Sequence, residues 1–207
     1  TYSAEDMAAV VTRVYRQDPA LVPKEPLASV NMYSGTGAQR LYEISINYGM
    51  TSDELDARTA QLQAVDAFAE LDTSGMSEAE LAYAACEYLM EHCAVSVDKS
   101  DNTAYAALVG GRANSEGAAL AYIELCRELG IDCRIVYGQE DWTEHCWNIV
   151  RIDGSYYHVD ITAAIENGAE AGFLMNDEMA WGHYRWDVSS YPKCSGELRC
   201  SDLLFDE

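Results

Sequence analysis

Apolar and polar positions follow two different spacings along the chain, one typical of helices and one typical of strands. Apolar residues at helical spacing predict helices over residues 3–17, 51–68, 77–92 and 116–129. Alternating or short apolar runs predict strands over residues 41–48, 133–137, 146–152 and 156–161. Residues 95–112 are mostly polar and contain glycine, so they predict a loop.

Start and stop signals refine these elements. Thr51 with Glu54, and Ser77 with Glu80, are the residue pairs of capping boxes and predict two helix starts. Gly130 is placed to end the helix that precedes it. Three prolines follow the first helix and predict a loop: Pro19, Pro23 and Pro26.

A two-residue turn, Asp153-Gly154, separates the last two predicted strands and is a strong hairpin signal. Antiparallel pairing across this turn places residues 145–150 opposite residues 157–162. The resulting pattern of helices and antiparallel strands indicates an α+β fold. We expect residues 1–70 to form a helical N-terminal extension that packs on a core domain of residues 71–207.

The composition narrows the class of protein. The chain has 207 residues, of which 49% are hydrophobic, enough for a sizeable core. Its formal net charge of −22 repels phosphate backbones, so we expect no nucleic-acid partner. A solvated acidic surface accounts for this charge, which also favours cationic ligands. No apolar run reaches the roughly 18 residues of a membrane span, so we expect none.

Seven cysteines leave the redox compartment open. They include no Cys-x-x-Cys pair, so neither a zinc site nor a redox motif is indicated. Cys194 with Cys200, or Cys126 with Cys133, could form a disulfide. A metal site would have to gather residues whose spacing matches no zinc signature, so we expect no metal and no cofactor. Those residues are His92, Cys93, Cys126, Cys133, His145 and Cys146.

Three side chains in the order Ser115, His145 and Asp160 provide a nucleophile, a base and an orienting carboxylate. Ser115 lies where a loop enters a helix, and unpaired amides there can hold an oxyanion. The hairpin brings Asp160 near His145 with a modest twist. Structural alternatives exist for each residue. Ser115 or Asn114 is a helix N-cap, His145 is a partly buried histidine bonded to backbone, and Asp160 is a capping or solvent-facing residue.

Two neighbours are weaker candidates. His158 shares a strand face with Asp160 and is a reserve base, although a structural role is favoured. Cys146 follows His145 directly, and the alternation of a strand points its thiol away from the His145 face.

The segments around these residues resemble the transglutaminase-like superfamily, which is related to papain. Its members carry a Gly-x-x-Cys-x-Gly-Tyr-Ala segment, then a His-Ala-Trp-Asn strand, then a Trp/Tyr-x-x-Val-Asp-x-Thr strand. This chain has ANSEGAA at 113–119, HCWNIV at 145–150 and YYHVDIT at 156–162. The likeness extends over about residues 76–195. Residues 1–70 more weakly resemble the N-terminal segments of secreted or surface-anchored proteins of Gram-positive gut bacteria.

The resemblance implies a fold and a site. The fold is a transglutaminase-like, papain-like core in which an antiparallel sheet packs against the nucleophile-bearing helix. Ser115 takes the nucleophile position, His145 the base and Asp160 the orienter. Active members cleave or form amide bonds through a thioester, which a serine cannot form. The resemblance also implies an extracellular or cell-surface bacterial protein.

Because position 115 is a serine, more than one hypothesis about function remains open. The first hypothesis is a pseudoenzyme whose catalysis is lost or weakened and which binds a peptide, protein or cell-wall-derived ligand. The other is an active amide-bond hydrolase or acyl transferase, in which Ser115 is natural or an engineered replacement of cysteine. A third reading is a scaffold module with an inherited site. Asn114 and Ala118 also depart from the family segment, and three changes in one motif favour natural divergence.

Overall fold

The computed structural model describes residues 3–17, 27–36 and 40–204. The helices of these residues are α1 (Ala4–Gln17), α2 (Ser52–Gln63), α3 (Glu78–His92), α4 (Ala104–Leu108), α5 (Ser115–Glu128), α6 (Ile161–Asn167), α7 (Ala169–Gly172), α8 (Asp177–Ala180) and α9 (Cys200–Leu204). The strands are β1 (Leu27–Ser34), β2 (Arg40–Asn47), β3 (Ala94–Val95), β4 (Arg112–Ala113), β5 (Asp132–Glu140), β6 (Thr143–Ile152), β7 (Ser155–Val159) and β8 (Tyr184–Arg185).

The central sheet is antiparallel, with strand order β7-β6-β5-β8. Helix α5 packs against β5 and β6, and α3 packs on α5. The β1–β2 hairpin is a separate two-stranded sheet, and β3 pairs with β4 in parallel. The α+β architecture expected from the sequence, with a sheet packed on the helix that begins at Ser115, is confirmed.

Two hydrophobic clusters lie against the central sheet. The larger joins α3, α5 and the sheet and includes Leu89, Leu120 and Tyr122, each fully buried. Tyr122 lies inside this core because its hydroxyl donates to the Ala82 carbonyl at 3.0 Å, which satisfies the buried phenol. The smaller cluster contains Trp147, which is also fully buried. The sheet is therefore fixed by apolar burial on side chains that alternate along β6.

The predicted start signals are confirmed. Thr51 and Glu54 form a capping box at α2, and Ser77 and Glu80 form one at α3. The Asp153-Gly154 turn joins β6 to β7, with both residues at positive φ. The register pairs Asn148 with Val159, as the hairpin prediction requires.

The structure differs from the sequence prediction in several places. No helix was predicted after residue 129, but α6–α9 follow β7, and Ile161, predicted to end a strand, begins α6. Residues 95–112, predicted as a loop, contain α4, which Thr103 caps by accepting from the Ala106 amide, and the parallel β3–β4 pair at their ends. Strand β1 was not predicted, because its side chains are mostly exposed and give little apolar pattern. The predicted proline loop at Pro19, Pro23 and Pro26 lies outside the described residues.

All seven cysteines are free thiols, so neither of the two candidate disulfides is formed. Among the described helices, none combines the length and the apolar character that crossing a bilayer requires.

Candidate active site

Ser115 is the first residue of α5, but it does not cap the helix. The N-cap is Asn114, whose Oδ1 accepts from the amides of Glu116 and Gly117, each at 3.1 Å. Asn114 also donates from Nδ2 to the Asp98 carbonyl at 3.2 Å. Because Asn114 meets the needs of the first turn, the Ser115 hydroxyl is available for another role.

The Ser115 hydroxyl faces β6. Its Oγ accepts from the Cys146 amide at 3.3 Å. The Ser115 amide heads α5 and has no acceptor inside the helix, and the helix dipole is positive there. Two backbone N–H groups are thus close to the Oγ atom, an arrangement suited to a developing negative charge. No hydrogen bond links Ser115 to His145 among the described residues.

His145 lies in β6 with its side chain 13% exposed. Its Nε2–H donates to Asp160 Oδ2 at 2.7 Å, and Nδ1 lies 3.6 Å from Glu140 Oε2. This contact with Asp160 fixes the ring orientation and leaves Nδ1 as the nitrogen available for chemistry.

Asp160 is both the orienting carboxylate and a helix cap. Its side chain is 1% exposed, and Oδ2 also accepts from the Tyr184 hydroxyl at 2.9 Å. Oδ1 accepts from Thr162 Oγ1 at 2.7 Å and from the Ala163 amide at 3.1 Å, which caps α6. The capping alternative and the orienting role are therefore compatible, since each uses a different carboxylate oxygen.

Charges around His145 favour its protonated ring. Burial lowers the pKa of His145, but the hydrogen bond and charge of Asp160, with help from Glu140, raise it above its ordinary value. Burial raises the pKa of Asp160, but its contacts with His145 outweigh that effect and the pKa is lowered. Burial is the largest cause that raises the pKa of Glu140. Both shifts favour an imidazolium beside a carboxylate over two neutral groups.

A cleft of about 720 Å³ opens beside these residues. Its lining residues are Lys99, Asn102, Asn114, Ser115, Glu116, Tyr137, Gly138, Gln139, Glu144, His145 and Cys146. Glu116 accepts from the Tyr137 hydroxyl and from Asn102 Nδ2, each at 3.2 Å, which ties the head of α5 to the rim. The structure thus brings Ser115 and His145 to one cleft, with Asp160 buried directly behind His145.

Sequence reasoning missed Tyr184, Glu140 and Glu116. Tyr184 lies 24 residues after Asp160 in a two-residue strand, and no local pattern connects them. Glu140 lies two residues beyond Gly138, which pairs with His145. The predicted strand ended at residue 137, so Glu140 was not placed beside His145. The turn that follows β5, Asp141-Trp142, contains neither glycine nor asparagine and gave no hairpin signal.

The two weaker candidates, His158 and Cys146, are placed differently, since Cys146 lines the cleft and His158 does not. His158 is fully buried, its Nδ1 accepts from Trp147 Nε1 at 3.0 Å, and its Nε2–H donates to Asp177 at 3.0 Å. Cys146 is partly buried and packs against the core that includes α5. Neither side chain is bonded to Ser115.

Two sets of three potential metal ligands occur among the described residues, and neither is the set considered from the sequence. One is Glu140, His145 and Asp160, and the other is His158, Asp177 and Cys194. In the second set Trp147 donates to His158 Nδ1, so a metal on Nε2 would require the ring to lose its last proton. Burial also raises the pKa of the Cys194 thiol. These residues fit a hydrogen-bonded neutral imidazole better than a metal.

Comparison with known protein families gives one match, and it covers the segment that contains Ser115, His145 and Asp160. Residues 66–161 match the model of the transglutaminase-like superfamily. No curated protein sequence matches the chain.

Solved structures resemble the chain at low identity. A TGase is 11% identical with a TM-score of 0.43, over 74% of this chain and 47% of that one. A candidate cysteine protease from Cytophaga hutchinsonii is 12% identical with a TM-score of 0.43, over 70% and 65%. A menin structure is 17% identical with a TM-score of 0.37, over 55% and 26%. The chain spans less than two thirds of the length of each of these proteins.

Proposed function

We propose that this chain, which carries a transglutaminase-like domain over residues 66–161, binds peptide or other amide-containing ligands in the Ser115 cleft and retains little or no acyl-transfer activity. Ser115 occupies the nucleophile position, with His145 as the base and Asp160 as its orienter. Peptides, proteins and cell-wall-derived peptides are the proposed ligands.

The observation that carries this proposal is the charge environment of His145. Asp160 lies 2.7 Å from Nε2 and Glu140 lies 3.6 Å from Nδ1, and both favour the imidazolium. An imidazolium stabilises a thiolate, which is nucleophilic without further loss of a proton. A serine hydroxyl needs a neutral imidazole to take its proton. The surroundings therefore suit a sulfur at position 115, and the oxygen there weakens catalysis.

The cleft wall supports an amide ligand. Gln139 and Asn102 lie on it, and side-chain amides can pair with a peptide backbone through both donors and acceptors. The cleft lining contains two carboxylates, Glu116 and Glu144, and one ammonium group, Lys99. We therefore propose that ligands with a positive charge near the amide bind more tightly than acidic ones.

A second candidate function, an active amide hydrolase or acyl transferase, is favoured by a different observation. The Cys146 amide reaches Ser115 Oγ at 3.3 Å, and the Ser115 amide heads α5. The Ser115 amide can stabilise the oxyanion of a substrate, and one such donor contributes about 10²–10³ in rate. The Cys146 amide donates to Ser115 Oγ itself and can hold the hydroxyl in position. In this alternative Ser115 is a working nucleophile, or an engineered replacement in an enzyme whose natural residue is cysteine.

The decisive experiment restores the sulfur. The Ser115→Cys variant is alkylated with iodoacetamide across a pH series, and the modified residue is located by peptide mass mapping. We expect a thiol at position 115 whose reaction has its pH midpoint below the ordinary thiol value of about 8.5. Amide hydrolysis should rise about 10²–10⁴-fold over the wild type, the range of general acid–base catalysis.

Ser115→Ala provides the matched control, because it keeps the seven native cysteines and shows their background alkylation. A thiol at position 115 with an ordinary pH midpoint would contradict the proposal. Covalent labelling of wild-type Ser115 by a fluorophosphonate would support the active hydrolase instead.

A further inference from the structure

A second concave site lies around β8, and none of the three residues proposed for catalysis lines it. It has a volume of about 400 Å³ and is lined by Trp181, Gly182, Tyr184, Arg185, Trp186 and Val188. We call it the Arg185 pocket. The rings of Trp181 and Trp186 meet edge to face with centroids 6.4 Å apart, and Trp181 is 72% exposed. An exposed aromatic wall of this kind costs solvation free energy unless a ligand covers it.

Arg185 gives the pocket its polar group. Its Nη1 is buried and makes no hydrogen bond, and no described residue forms an ion pair with its guanidinium. This is unusual in a chain with 35 acidic and 13 basic side chains. A buried donor without a partner costs about 1–3 kcal/mol, and more when it is charged. The charge of the guanidinium therefore has no partner among the described residues, and a ligand that carries an anion can supply one.

A strained turn holds Arg185 in place. Asp141 and Trp142 form the two-residue turn between β5 and β6, with φ values of 43° and 70°. A bulky residue in this left-handed region is uncommon, and such strain is typical of sites where a side chain must be held in position. The Trp142 ring stacks on the guanidinium with Cζ 3.3 Å from its centroid. Stacking fixes the plane in which the guanidinium presents its donors.

We infer that the Arg185 pocket binds the C-terminal residue of a peptide. The α-carboxylate accepts hydrogen bonds from Arg185, and an apolar side chain lies against Trp181 and Trp186. A planar guanidinium matches a carboxylate in geometry and charge. A C-terminal residue carries its carboxylate and its side chain on one carbon, which fits an arginine beside aromatic walls. The pocket volume lies near the lower end of the range for small-ligand pockets, which begins at about 300 Å³, so the pocket suits one residue rather than a longer peptide.

The pocket adjoins the Ser115 cleft but is a distinct site. Tyr184 lines the pocket, and its hydroxyl donates to Asp160 at 2.9 Å. Gly138 lines the cleft, and a Cβ there would overlap the Arg185 carbonyl oxygen. The two sites therefore share the wall formed by β5 and β8. The assignment does not depend on chemistry at Ser115.

The test compares N-acetyl-L-phenylalanine with its neutral amide, N-acetyl-L-phenylalaninamide, by tryptophan fluorescence titration of the full chain. Trp142, Trp181 and Trp186, three of the four tryptophans, report on this region. The titrations use the Ser115→Ala background to prevent turnover of the amide. We expect the acid to bind about 10- to 100-fold more tightly than the amide, the ratio for one charge-assisted hydrogen bond.

Variants separate the two parts of the pocket. Arg185→Gln should remove the preference for the acid, because glutamine carries no charge, and Arg185→Lys should keep part of the preference. Trp181→Ala, at an exposed position, should weaken both ligands. Arg151→Gln removes one exposed positive charge from β6 and should change neither titration.

Three results would overturn the inference. They are equal affinities for the acid and the amide in the Ser115→Ala background, an unchanged preference in Arg185→Gln, and displacement of the acid by equimolar inorganic phosphate. Circular dichroism of each variant confirms that the fold is retained, and Arg185→Lys and Trp181→Ala keep the test informative if Arg185→Gln does not fold.

Discussion

His145 Nε2 lies 2.7 Å from Asp160 Oδ2, so the ring nitrogen left for chemistry is Nδ1, the atom that Glu140 approaches at 3.6 Å. A carboxylate behind the ring orients it, and a second carboxylate in front of it competes with any nucleophile for the Nδ1 proton. The charge of Glu140 is therefore a direct control on whether His145 can act as a base.

Replacing Glu140 should make the neutral, proton-accepting form of His145 available at lower pH. Because the Glu140 carboxylate helps to raise the pKa of His145, Glu140→Gln should lower that pKa, which can be followed by NMR of the imidazole protons against pH. Any residual wild-type hydrolysis should then begin at a lower pH. Glu144→Gln removes a neighbouring cleft carboxylate and is the matched control. An unchanged His145 titration in Glu140→Gln would rule out this electrostatic control.

Asp160 should contribute to stability within a defined pH window. Asp160→Asn keeps the cap on α6 but loses the charge, and we expect the free energy of unfolding to fall by about 1–3 kcal/mol. The folded-state pKa of Asp160 is lowered, so its contribution is present above about 3.9 and is lost as pH falls. The folded-state pKa of His145 is raised, so its contribution is present below about 6.5 and is lost as pH rises.

The difference in unfolding free energy between wild type and Asp160→Asn should therefore be largest between about pH 4 and pH 6.5. Urea denaturation at a series of pH values measures it. A difference that is constant from pH 3 to pH 9 would show that the pair is not coupled to protonation.

Asn114 and Ser115 should differ sharply as alanine variants. Asn114→Ala removes the acceptor for two amides of α5 and should cost about 0.5–2 kcal/mol of stability. Ser115→Ala removes one hydroxyl that caps nothing and should cost less. Urea unfolding of the two variants under the same conditions provides the comparison. Equal losses would mean that the serine also supports the helix start.

Gly138 should not tolerate a side chain. A Cβ at this position would overlap the Arg185 carbonyl oxygen and lie 2.6 Å from the Trp147 ring, so Gly138→Ala should destabilise the fold by about 1–3 kcal/mol. Thermal unfolding measures the loss, and Gln139→Ala, next on the same strand, is the control. Wild-type stability in Gly138→Ala would show that β8 moves easily.

Local signals accounted for much of the fold and for part of the site. Capping boxes at Thr51 and Ser77, and the Asp153-Gly154 turn, act over a few residues and were predicted correctly. The turn also fixed the register that brings Asp160 near His145.

What the sequence did not predict depends on contacts between distant residues or on weak local patterns. Tyr184 reaches Asp160 through the fold, and α4 is too short for its apolar spacing to be recognised. The catalytic roles of Ser115, His145 and Asp160 stay a prediction for the experiments above.

Asn114 caps α5 and Ser115 does not, and this difference has a genetic consequence. Codons for serine and cysteine can differ by a single base, and position 115 is released from holding the helix together. One point mutation can therefore exchange oxygen for sulfur at the head of α5 without repair elsewhere in the gene. Reactivity at this position can therefore change in one mutational step while the surrounding fold stays the same.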